Sequence, residues 1–232
     1  MQCLFCVEMN FTRNDSVRNT SFFLAVIDDI YQSVVAIECL AKEGIRNTIR
    51  RELRYLIELS VKACLISQKN SESSTREQVD EFRKIIKDTN ITMVKDVDFH
   101  YFDDKGKSDF VTMTKRVYGE CCNYSHVTIK QINERFKLED SGRTIGFEGT
   151  QELRELNDEI GQALSIVVIL FFHAIPIWCV GDYLVDSDGT TTKFYYTKYE
   201  FISKIDECFD YKFERQANVD EVKKIRTERV VY

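Results

Sequence analysis

An all-α fold follows from the breakers, the periodicity and the composition of this chain. Proline occurs once and glycine nine times in 232 residues, so long elements run without interruption. Apolar residues recur at helical spacing over several long windows. Hydrophobic residues make up 44% of the chain and charged residues 30%, enough for a sizeable core. The expected architecture is a bundle of four to five helices over residues 18–183. A small β-hairpin and a helix would be appended over 184–232.

The first helix is expected from Ser21 to Lys42. It is apolar on most sides (Phe22, Phe23, Val26, Ile27, Ile30, Val34, Ile37) and stops at Gly44. The second is "IRNTIRRELRYLIELSVKACLI", with Ile49, Leu53, Leu56, Ile57 and Cys64 on its core stripe. Arg50, Arg51, Arg54, Glu58 and Lys62 fall on its other side. They suit either a solvated face laced by Arg54–Glu58 and Glu58–Lys62 pairs or contacts to RNA phosphates. The polar linker "SQKNSESSTREQ" caps a third helix, Glu77 to Lys87. Residues 91–107 read as irregular or weakly stranded chain, with a turn at Asp104 to Gly106.

A fourth helix is expected from Asp109 to Leu138. It carries "YGECCNYSHV". On a helical wheel Phe110, Met113, Val117, Tyr118, Cys121, Tyr124, Thr128 and Ile132 share a core face. Arg116, Gly119, Asn123 and His126 share the opposite one, a stripe suited to a second copy of the chain or to a ligand. The fifth helix, from Gln151, contains "ALSIVVILFFHAIPIWCV". That run reaches the lower length for crossing a bilayer. Interruption by His173 and Pro176, and flanks without Lys or Arg, favour a buried central helix kinked at the proline. No membrane association is expected, and His173 reads as a buried histidine with its hydrogen bonds made. "YLVDSDGTTTKFYYT" reads as a hairpin turning at Asp188-Gly189, followed by an amphipathic helix. The charged tail "DEVKKIRTERVVY" reads as loosely attached.

A formal charge of −6 lacks the basic balance of most nucleic-acid binders, leaving only local basic patches for that role. Cys39, Cys64, Cys121 and Cys179 sit in apolar patterns, as reduced core thiols would. A reduced, cytoplasmic protein is the expectation, and the N-terminal "MQCLFCVEM" lacks a basic n-region. Cys3 and Cys6 form a CxxC without a partner CxxC, so buried thiols are favoured over zinc. No metal and no cofactor is expected.

The helix bearing "YGECCNYSH", preceded by one like "RELRYLIELSVKACLI", resembles the HEPN superfamily of helical domains over about Ser21 to Val180. The resemblance is to the branch found in abortive-infection and other bacterial defence and toxin–antitoxin proteins. It implies a homodimer, with RNA as target, and a partner defence protein or antitoxin. It also implies a metal-independent endoribonuclease site shared between the two copies. There His126 would move protons at the ribose 2′-hydroxyl or the leaving oxygen. Asn123 would be its hydrogen-bonding partner, and Arg116, or Arg50 and Arg54, would hold the phosphate. The chain departs from the family pattern where the arginine is expected, four to six residues before the histidine. Glu120 and Cys121 stand there instead, with Gly119 just before them. A non-catalytic scaffold or sensor that binds a partner protein is the other reading.

Overall fold

The computed structural model describes residues 22–69, 73–87, 91–144 and 149–230. Mostly helical chain fills them, in the order α1 (Phe22–Ala25), α2 (Ile27–Lys42), α3 (Arg46–Lys69), α4 (Thr75–Ile85), a 3-10 turn (Ile91–Asp96) and α5 (Asp104–Cys122). Then come α6 (Ile129–Asp140), α7 (Thr150–Ala174) and α8 (Ile177–Leu184). The C-terminal segment adds a 3-10 turn (Tyr195–Lys198), α9 (Glu200–Glu207), a second turn (Phe213–Arg215) and α10 (Val219–Arg229). Cys3 and Cys6 lie outside the described residues.

The centre of the bundle is α3. It packs against α1, α2, α4, α5 and, most extensively, α7. Its predicted stripe is fully buried, and so are Leu59, Val61, Ala63, Leu65 and Ile66 around it. Gly44 stops α2 as expected, in the left-handed conformation with φ of 67°. The polar linker does its predicted work too. Ser74 and Glu77 make reciprocal side-chain-to-backbone bonds, a capping box at the start of α4. The apolar run lies in α7, where Ile166 to Phe172 are all buried. One helix among the described residues is long and apolar enough to cross a membrane. It is α7, and two-thirds of its apolar window (67%) is covered by the rest of the bundle.

Several expectations are corrected. The fourth helix begins at Asp104, because Asp103 accepts a bond from the Gly106 N–H at 2.7 Å and caps it; the predicted turn is its first turn. It ends at Cys122 and does not run on to Leu138. Asn123, Ser125 and Thr128 offer the backbone alternative partners. Thr128 turns extended, donates to the Asn123 carbonyl at 2.8 Å and caps α6. The wheel therefore fails beyond Tyr124, and Ile132 lies half exposed instead of in the core. Pro176 does not kink one helix but separates two. Ile175 before it is extended, as a residue preceding proline prefers, and Pro176 caps α8.

The C-terminal β-hairpin is not formed. Gly189 makes the predicted turn with φ of 78°, but the ladder is a single antiparallel bridge between Val185 and Thr191. The ladder is cut short because α8 runs to Leu184 on one side and a 3-10 turn begins at Tyr195 on the other, and the Arg215 guanidinium is fully buried against the turn. That guanidinium donates to the Gly189 carbonyl at 3.3 Å and to the Asp206 carboxylate at 2.9 Å. The tail is not loose either. Val222 of α10 is buried, and Arg226 donates to Asp206 at 2.6 Å and to Asp210 at 2.6 Å. Phe201 of α9 packs on Phe102 and Phe110, which joins this segment to the bundle.

Candidate functional site

Along α3, Arg50, Arg54, Glu58 and Lys62 recur at i,i+4 spacing and so line up on one side. Solvent or RNA phosphates are expected on that side; the structure buries Arg50 and Lys62 there, because α3 packs against five other helices. Arg50 and Lys62 keep only 5% and 4% of their side chains exposed. Such charges persist only when paired. Arg50 donates twice to the Glu159 carboxylate of α7, at 2.7 and 2.8 Å, and once to Glu134 of α6 at 3.1 Å. Its guanidinium also lies 4.0 Å from the centre of the Tyr124 ring. Burial works against the Arg50 charge, and the paired carboxylates more than offset it, holding its pKa above the ordinary arginine value.

Lower on the helix, Lys62 donates to Glu58 at 2.7 Å and to the Ile86 carbonyl. Arg54 lies over the Tyr118 ring and 3.5 Å from Glu58. Tyr118 also donates to Glu58 at 3.2 Å, and burial followed by that carboxylate pushes its phenol up to about 12. Cys121 is buried beside this stripe. Burial first, then Glu159, lifts its thiol to about 12, which keeps it protonated and unreactive.

The turn between α5 and α6 is the exposed end of this arrangement. Arg51 donates from Nε to the Tyr124 carbonyl at 2.7 Å while the residue as a whole stays exposed. An accessible guanidinium is thus fixed to the turn that carries His126, itself exposed. Lys130, at the start of α6, reaches over the Tyr124 ring at 5.5 Å. Asn123 directs its amide back to the Gly119 carbonyl at 3.3 Å, as the cap of its own helix. Arg116 stands on the exposed side of α5, where it bonds Glu120 at 2.9 Å and Gln162 of α7 at 3.1 Å. The sequence-predicted residues thus divide. Arg51 bonds the turn on which His126 is exposed, whereas Arg50, Arg54 and Arg116 are each neutralised by a carboxylate. The role of Arg51 was hidden because it depends on where the chain breaks after Cys122. The only signal was the run of Asn, Ser and Thr there.

The solvent side of α6 carries an apolar stripe among its charged residues. Val127 is 83% exposed, Ile129 72% and Phe136 55%, with Ile132 between them. On a helix Ile129, Ile132 and Phe136 share one face, opposite Gln131, Glu134 and Leu138. Among the described residues α6 buries none of its side chains.

His173 is buried as the sequence predicts, but its hydrogen bonds are not made as expected. It is 2% exposed, yet neither ring nitrogen has a hydrogen-bond partner among the described residues. Rings of Phe99, His100, Tyr101 and Phe102 surround it, with centroids 4.7 to 5.1 Å away. Burial first, and then His100, holds its pKa well below the ordinary histidine value. Among the described residues no group of three or more His, Cys, Asp or Glu is placed to hold a metal ion. Searches against protein-family models, curated proteins and solved structures find no match for this chain.

Proposed function

We propose that the chain is an RNA-targeting helical protein of HEPN type that works as a homodimer, in a bacterial defence or toxin–antitoxin setting, and cleaves RNA without a metal ion. One observation carries the reading: Arg51, an exposed arginine of α3, bonds the Tyr124 carbonyl in the turn that carries the exposed His126, next to an apolar stripe on α6. In this reading Arg51 takes the phosphate position that the sequence offered to Arg116. His126 removes the proton of a ribose 2′-hydroxyl as its oxygen attacks the adjacent phosphorus. The bond to the 5′-oxygen breaks, and that oxygen leaves with a proton supplied by the second His126 of the dimer. Guanidinium donors meet the charge that builds on the phosphoryl oxygens. Burying Ile129, Ile132 and Phe136 against a second copy brings the two turns together.

The test is cleavage of RNA by the purified full chain in EDTA, beside His126→Ala and Arg51→Gln variants. Cleavage by the wild type that falls at least about 100-fold in His126→Ala is expected for loss of a general acid–base group. Equal rates in both, or none in the wild type, remove the enzyme. A second reading, a scaffold that docks a partner defence protein or antitoxin, is favoured by the internal neutralisation of Arg50, Arg54 and Arg116. Weak RNA binding with a shallow salt dependence supports it, and a steep one counts against it.

A further inference from the structure

Neither reading above uses the face formed by α8 and the chain around Lys212. Three aromatic side chains stand out from it: Phe213 is 89% exposed, Tyr211 72% and Trp178 47%. Phe213 is more open than any apolar residue of the α6 stripe. The fold places the three near one another. Gly181 lets the Phe209 ring onto α8, since a Cβ there would lie 2.8 Å from it. The Tyr211 ring centre is 6.5 Å from that of Phe209. Lys212, between Tyr211 and Phe213, reaches Asp182 at 2.6 Å. Trp178 precedes Asp182 by four residues and so shares its side of α8. The aromatics therefore lie around one ion pair. Single exposed apolar residues need no explanation, but a cluster of large aromatics marks an interaction surface.

The border of this cluster is acidic. Glu214 follows Phe213, and its carbonyl lies against Gly189, which brings the turn carrying Asp186 and Asp188 alongside. All three carboxylates belong to exposed residues, and among the described residues none of them is in an ion pair. Lys212 is already taken by Asp182, and Lys193, near Asp188, is one charge against three. That sign selects the occupant. Carboxylates repel RNA, an anionic lipid surface and the identical face of a second copy, and they attract a basic segment. We infer that this face docks an arginine-bearing segment of a partner protein. Arginine meets both demands of the surface: its guanidinium plane stacks on an aromatic ring, and its donors pair with a carboxylate. The face holds neither His126 nor Arg51, so the inference stands whether or not the chain cleaves RNA.

Trp178 is the one tryptophan of the chain, so its fluorescence reads this face directly. The test is titration of the full chain with a short peptide of alternating arginine and leucine. Peptides with lysine or glutamate in place of arginine are the controls. The arginine peptide is expected to give a saturable change, the lysine peptide a weaker one and the glutamate peptide none. Tyr211→Ser with Phe213→Ser is expected to weaken binding at least about tenfold, as loss of interface anchors does. The same pair should melt within a few degrees of the wild type, because both side chains are exposed. Glu214→Gln, a second variant, should weaken binding at low salt and flatten its salt dependence. No saturable binding by the wild type at millimolar peptide, or equal affinity in the wild type and both variants, overturns the site. A lysine peptide that binds as tightly overturns the choice of arginine. Two further outcomes also overturn it. Phosphatidylcholine vesicles that blue-shift Trp178 where the arginine peptide does nothing would make the face a membrane surface. A wild-type dimer that dissociates in the double variant would make it a contact between copies.

Discussion

His173 brings two polar nitrogens into a cage of rings and finds no partner for either. A neutral imidazole tolerates this better than a charged one, which is why its pKa falls well below 6.5. His100 is lowered as well, by burial, with Asp98 opposing. Above the ordinary histidine value both the folded and the unfolded chain hold His173 neutral, and its titration contributes nothing to stability. Below that value the unfolded chain takes up a proton that the folded chain refuses. Stability therefore falls with pH from near 6.5 downwards, by about 1.4 kcal/mol per unit for this one group. Urea denaturation at pH 7 and pH 5 measures it, with His173→Leu as the reference that cancels the carboxylates. The wild type is expected to lose more than the variant on acidification. Equal losses would mean that His173 is protonated, and paired, in the folded state.

At the scale of elements, α6 separates what the sequence made legible from what it did not. Local signals read correctly: the capping box at Ser74, the stop at Gly44, the turn at Gly189. Each depends on a few neighbouring residues. The continuity of α5 into α6 was misread because periodicity is blind to a break that preserves apolar spacing on both sides. The burial of Arg50 was misread because its partner, Glu159, lies 109 residues away. Of the site, the residue types were legible and the pairing of Arg51 with the His126 turn was not. The amphipathic pattern of α6 is real, but its apolar face points outward. Ile129→Ser with Phe136→Ser is therefore expected to leave the monomer's melting temperature within a few degrees, as surface substitutions do. The same pair should convert a dimer to a monomer by light scattering after size exclusion. A wild-type chain already monomeric at micromolar concentration would count against the homodimer.

Across the whole molecule, two charge systems have opposite settings. The α3 stripe opens at one end onto an exposed turn, as a site requires. The C-terminal network is closed: Asp206, 2% exposed at its side chain, holds both Arg215 and Arg226, while Asp210 serves Arg226 from the other side. That closed network ties the Gly189 turn, α9 and α10 into one piece. Phe201 on Phe110, and Lys212 on Asp182 at 2.6 Å, tie that piece to the bundle. Asp206→Asn keeps the shape but leaves two buried guanidiniums short of an anion. Breaking a buried pair in this way costs about 3–5 kcal/mol. If the segment and the bundle fold as one unit, the loss is shared. Trp178 fluorescence, which reports the junction in α8, and far-UV circular dichroism, which reports the whole bundle, should then shift together to lower denaturant. A Trp178 transition that moves alone, leaving the circular dichroism midpoint in place, would show that the C-terminal piece unfolds by itself and that its aromatic contacts to Phe102 and Phe110 do not couple it to the bundle.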